Sequence, residues 1–89
     1  MNRFFLSGTI NSEIEVYSSP KGEKILIFSL LNEDKRFSIE VVQKIKNIEE
    51  KNRLKKTDNI IVEGALVKIR KGNQFTFRLE ANKIFKTEV

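Results

Sequence analysis

Three residue types are missing from this 89-residue sequence: cysteine, histidine and tryptophan. Without cysteine there are no disulfides and no thiolate metal ligands, and nothing points to an oxidising compartment. Without histidine the commonest metal ligand and the usual general base are gone. Proline occurs once and glycine four times, so no Pro- or Gly-rich linker divides the chain. No apolar run approaches the roughly 18 residues of a membrane span, and the first residues lack a basic-then-apolar signal pattern. The expectation is one cytoplasmic domain over residues 1–89, with no metal or cofactor. A chain this short buries only roughly 60–65% of its extended surface, which calls for an efficient core such as a closed barrel.

What is present is a basic excess, unevenly placed. Seventeen Lys and Arg face twelve Asp and Glu, for a formal charge of +5. Lys51, Arg53, Lys55 and Lys56 follow one another without an acid, and so do Lys68, Arg70, Lys71 and Arg78. No acid occurs between Gly64 and Leu79, while acids gather near Glu13, Glu15, Glu49 and Glu50. This asymmetry predicts one basic surface facing a polyanion.

The dominant period is two. In RFFLSGTI, Phe4, Leu6, Gly8 and Ile10 share one face and Arg3, Phe5, Ser7 and Thr9 the other. SSPKG is a turn, KILIFSLL a strand apolar on both faces, and NEDK a short polar turn. RFSIEVV alternates again, with Phe37, Ile39 and Val41 together. The period then changes. Ile45 and Ile48 lie three apart in QKIKNIEEKNRL, which predicts a helix of two or three turns plugging one end of a barrel. NIIVEGALVKIR and QFTFRLEANKIF follow as two long strands joined by a KGN hairpin signal. Ile60, Val62, Gly64, Leu66 and Lys68 share a face in the first, and Phe75, Phe77, Leu79 and Ala81 in the second. Five strands with one short helix between the third and fourth is the order of an all-β, five-stranded OB-fold barrel. Gly8 and Gly64, both mid-strand, mark bulges or tight bends.

Several stretches carry a family resemblance. NRFFLSGTI resembles the first strand of the bacterial single-stranded-DNA-binding protein family, and most closely its primosomal PriB-like type. SPKG, FSLL, RLKKTDNIIVEGAL and LEANKI are similar, in order, to later segments of that family. The short NEDK turn, the lack of Trp and the ending KTEV, in place of an acidic Phe-terminated tail, resemble the PriB-like type, or a minimal variant from a mobile element, more than the general cellular protein. The resemblance implies non-sequence-specific binding of single-stranded DNA in replication or replication restart. It also implies pairing through first strands into a homodimer, with Phe5 and Ser7 at the interface.

Single strands are held by cations for phosphates and aromatic faces for bases. The hairpin VKIRKGNQFTFR is the strongest candidate: Lys68, Arg70 and Lys71 with Arg78 form a basic cluster, and the resemblance assigns this hairpin a clamping role. Phe75, just after the turn, and Phe37 lie near aromatic positions of the family; each is either a stacking platform or core. Phe5 either stacks on DNA or packs against a second copy. Arg3, Lys35 and Arg36 are further candidates, and Phe4, Phe28 and Phe77 are expected in the core.

Catalysis finds no support. Glu13 with Glu15 and Glu49 with Glu50 are the nearest to paired carboxylates, and neither pair has a nucleophile or ligand beside it. Glu49 and Glu50 are expected to pair with Lys46 or Arg53 at helical spacing. Two functional readings follow: a single-stranded-DNA-binding module, and an OB adaptor that docks a helicase or primase with weak nucleic-acid affinity.

Overall fold

The computed structural model describes residues 3–87. The elements in order are β1 (Phe4–Ile10), β2 (Glu15–Ser18), β3 (Lys24–Asn32), β4 (Ser38–Ile45), α1 (Glu49–Asn52), β5 (Asn59–Lys71) and β6 (Gln74–Lys86). β1 pairs with β5, β5 with β6, β6 with β4, β4 with β3, and β3 returns to β1. The ring of five strands is closed. Every pairing is antiparallel except β4 with β6. This is the OB-fold barrel that the strand order predicts.

The sequence reading did not separate β2, which is a sixth strand. It lies in line with β1 along one edge of β3: Ile10 faces Leu30, and Glu15 faces Ile27 farther along. Where the chain breaks between them, the Asn11 amide donates to the Ser29 carbonyl (3.0 Å) and the Ser12 hydroxyl accepts from the Ser29 amide (2.8 Å). The gap in the ladder is therefore filled by a side chain, and the backbone groups of β3 stay satisfied.

Closure explains the two mid-strand glycines. Gly8 faces Ile60 on β5 and Asn32 on β3, so β1 is hemmed in on both sides there. A Cβ on Gly8 would lie 2.1 Å from the Leu31 carbonyl oxygen, and one on Gly64 2.2 Å from that of Glu80. Neither position has room for a side chain. Beside Gly64 the β5–β6 register shifts by one residue, leaving Asn82 as the extra residue of a bulge.

The core is built from inward rows of alternate residues. It comprises Ile10, Ile14, Leu26, Phe28, Leu30, Val41, Ile45, Ile60, Val62 and Leu79. The helix departs from expectation. α1 spans only Glu49–Asn52 and buries nothing, because β4 runs on through Ile45, which is buried as a strand residue. Ile48 is exposed, and it is Leu54, after the helix, that packs against the core. The Glu50 carboxylate accepts from the main-chain amides of Lys46 and Asn47, in place of the ion pair expected at helical spacing. No described helix is long and apolar enough to cross a membrane.

Candidate nucleic-acid interface

Three inward rows run past the end of the buried core. Along β1, burial falls from Ile10 through Leu6 to Phe4, which is 46% exposed. Along β4 it falls from Val41 through Ile39 towards Phe37, 48% exposed just before the strand. Along β6 it falls from Leu79 to Phe77, 52% exposed, and then to Phe75. Phe4 and Phe77 are thus corrections to the core expectation, and Phe28 alone of the three is buried. The periodicity is right; the barrel simply ends before the rows do.

These rings converge. Phe4, Phe5, Leu6, Phe37, Ile39, Leu66, Phe77 and Leu79 line a cleft of ≈ 440 Å³ at this end of the barrel. Its floor is core, and its walls are aromatic. Phe37 is set in place by a tight turn, in which the Asn32 side-chain oxygen accepts from the amides of Arg36 (2.9 Å) and Phe37 (3.2 Å). Lys35 takes the left-handed φ of 58° that closes this turn. Lys35 and Arg36 are both exposed beside Phe37.

The β5–β6 hairpin extends the same inner surface beyond the cleft. Its turn pairs Lys71 with Gln74, so Lys68 faces Phe77 and Arg70 faces Phe75. Lys68, Arg70, Phe75 and Phe77 therefore share one face. Lys68 Nζ lies 4.5 Å from the Phe75 ring centroid and Arg70 Cζ 5.9 Å from it, within cation–π range. Among the described residues no carboxylate forms an ion pair with Lys68, Arg70 or Lys71.

The expected four-charge cluster divides. Lys71 and Arg78 lie on the opposite face of the hairpin, since Arg78 stands across from Val67. Arg78 is also neutralised, 3.5 Å from Glu80 and 4.0 Å from Glu40 on β4. Arg3 is likewise engaged: its Nε contacts the buried Glu63 carboxylate at 3.1 Å, and its guanidinium sits 5.6 Å from the Phe5 ring. Phe5 is 63% exposed and Ser7 half-buried, on the part of β1 that pairs with β5 alone; among the described residues its other edge, at Phe4–Ser7, carries no strand.

The outer face of β3 and β4 differs in kind. Ile25, Ile27 and Val42 stand there with Lys44, Arg78 and Glu80 along a groove of ≈ 610 Å³, and Glu40 pairs with Arg78 on the same face. Beside it Tyr17 donates to Glu15, and this bond with the adjacent negative charge raises the phenol above its ordinary pKa. Cations here are offset by acids, and Tyr17 is the only aromatic outward on β2–β3. Among the described residues no group of three or more His, Cys, Asp or Glu is placed to hold a metal ion.

No protein-family model matches the chain, and no curated relative matches it. Solved structures do. The wild-type single-stranded DNA binding protein from Thermus aquaticus superposes with a TM-score of 0.84 at 24% identity, covering 100% of this chain and 41% of that one. A deletion mutant of the Thermus aquaticus protein gives 0.82 at 26% identity, covering 100% and 42%. The SSB domain of a protein from Synechococcus sp. gives 0.83 at 15% identity, covering 96% and 94%. The chain thus spans about two fifths of the length of the Thermus aquaticus chains. The likeness establishes the OB-fold barrel of these single-stranded-DNA-binding proteins.

Proposed function

We propose that the chain binds single-stranded DNA with little sequence preference, over roughly 4–16 nucleotides per barrel, in replication or replication restart. The observation that carries this reading is the uncapped barrel end. Phe4, Phe37 and Phe77 are half-exposed around one cleft, and the row continues to Phe75 beneath Lys68 and Arg70. Large apolar rings left open to water in a small barrel cost hydrophobic burial, and such patches mark binding sites. Bases stack on rings irrespective of identity, and adjacent cations neutralise phosphates, so the arrangement suits a single strand better than a duplex with its bases turned inward. The three structural neighbours, which are single-stranded-DNA-binding or SSB proteins, support the same ligand.

In this reading Lys68 and Arg70 meet phosphates beside the rings, with Lys35 and Arg36 on the far rim, and Lys71, on the other face of the hairpin, stays outside the site. Phe37, Phe75 and Phe77 meet bases. Arg3 and Arg78, already paired with carboxylates, contribute little. The test is fluorescence anisotropy with a labelled dT oligomer at low salt. Binding that weakens steeply with salt is expected; no binding would leave the helicase- or primase-docking adaptor as the better reading.

The proposal extends to assembly. Among the described residues the edge of β1 at Phe4–Ser7 away from β5 pairs with no strand, and it lies beside exposed Phe5, so a second copy would cover it as a homodimer. Light scattering at tens of micromolar protein should return twice the chain mass. A monomer mass would remove this part of the proposal.

A further inference from the structure

Phe75 stands in an unusual position for a ring that only stacks on bases. It is 59% exposed, yet two cations converge on it: Lys68 Nζ at 4.5 Å and Arg70 Cζ at 5.9 Å from its centroid. Arg70 is tied a second time, because its Nε donates to the Gly72 carbonyl at 2.9 Å. A lysine or arginine on an exposed hairpin ordinarily loses much side-chain freedom when it grips a phosphate. Here that freedom is already restricted in the unbound protein by the ring face and by the turn.

We infer that Phe75 is a positioning residue for phosphate contacts as well as a stacking platform. It holds Lys68 and Arg70 at the level of the backbone whose base it receives. The inference rests on the single-strand reading and deepens it. A ring that serves bases alone is indifferent to a strand without bases. A ring that positions cations is not.

The experiment therefore uses two probes of equal length, a dT oligomer and an abasic oligomer with the same phosphates, each titrated with salt. Wild type, Phe75→Ala, Phe75→Leu and Phe75→Trp are compared, with melting curves to confirm folding. On the abasic oligomer, Phe75→Ala should bind about two- to five-fold more weakly, the worth of an exposed cation–π contact. Its log–log salt slope should flatten by about 0.3–0.7, up to one phosphate. Phe75→Leu, which keeps bulk without a π face, should behave like Phe75→Ala, and Phe75→Trp should restore both readings. Abasic binding and slope unchanged in Phe75→Ala would overturn the inference. So would a wild type that binds dT but not the abasic strand, since the held cations would then meet no phosphate. A wild type that binds neither probe defeats the single-strand reading itself.

Discussion

The two ends of this barrel are built from the same inward rows and have opposite fates. At the end near α1 the rows of β1, β4 and β5 terminate in Ile10, Ile45 and Ile60, all buried, and Leu54 packs against the core. At the other end they terminate in Phe4, Phe37 and Phe77, each about half-exposed around an open cleft. The larger, costlier side chains are the ones left in water. A barrel that needed only to fold would place small or polar residues at an open rim and bury its rings. The difference lies in length: at the open end the inward rows continue past the point where neighbours cover them. The added hairpin length does the same for charge, carrying Leu66 on to Lys68 and Arg70.

If this contrast holds, the largest effect on the fold comes from the closed region. Leu79 is 1% exposed and sits two residues from Phe77 on one row. Leu79→Ala should cost about 2–5 kcal/mol, lowering the melting temperature by roughly 10 °C or more for a domain of this size. A thermal melt that hardly moved would mean that the inward row is not what holds the barrel together.

The next effect lies in charge. Replacing Lys68 and Arg70 together with Ala removes about two phosphate contacts, each contributing about 0.7 to the single-strand salt slope. The slope should flatten by about 1.4. Near 0.1 M salt this corresponds to about a 25-fold loss of affinity, similar for every sequence because phosphates carry no base information. The melting temperature should stay close to wild type, since these exposed cations have no carboxylate partners among the described residues. An unchanged slope would move the site to another face.

Much of this is legible in the sequence, and the failures have physical reasons. Period two is strong in RFFLSGTI, RFSIEVV and the two long strands, so the barrel order can be read directly. Phe4 and Phe77 were expected inside because periodicity reports which face a residue is on, not how far the cover extends. The helix expected over QKIKNIEEKNRL is too long because Gln43 occupies an inward position and hides the row that joins Val41 to Ile45. The structure shows why Gln is tolerated there: its amide donates to the Asn82 carbonyl at 3.2 Å, at the bulge of β6. β2 escapes the pattern because EVYS is only four residues long and the edge of β3 that it shares with β1 is interrupted between the two. The division of the basic cluster was within reach. A two-residue Gly72–Asn73 turn pairs Lys71 with Gln74, which already sets Arg78 on the face opposite Lys68. The neutralising Glu40 was not, since a parallel β4–β6 contact is invisible to local pattern.

Phe77 sharpens the comparison from the open side. Because it is 52% exposed, Phe77→Ala should leave the fold intact, with a destabilisation well below that of Leu79→Ala. Binding of a dT oligomer should nonetheless weaken by about 1–3 kcal/mol, the usual worth of a base stacked on a ring. A stability loss as large as that of Leu79→Ala, with binding retained by the folded fraction, would return Phe77 to the core.

The smallest effect is expected at Arg78, which by sequence belongs to the basic cluster and by structure does not. Its guanidinium, 31% exposed at the side chain, bridges Glu40 and Glu80 at 4.0 and 3.5 Å, so much of its charge is already balanced. A phosphate approaching it would have to displace a carboxylate, and the net release of counterions would be small. Arg78→Ala should therefore leave the salt slope within experimental error of wild type. Stability should change little as well. The two carboxylates are about 39% and 49% exposed and regain water when the arginine goes, and partly exposed ion pairs contribute about 0–1 kcal/mol. The loss is offset further because the buried Arg78 Nε has no hydrogen-bond partner among the described residues, so its removal relieves a desolvated donor. A slope that flattened by about 0.7 in Arg78→Ala would show that the strand crosses to the outer face of β4 and β6, and the open end would no longer account for the whole site.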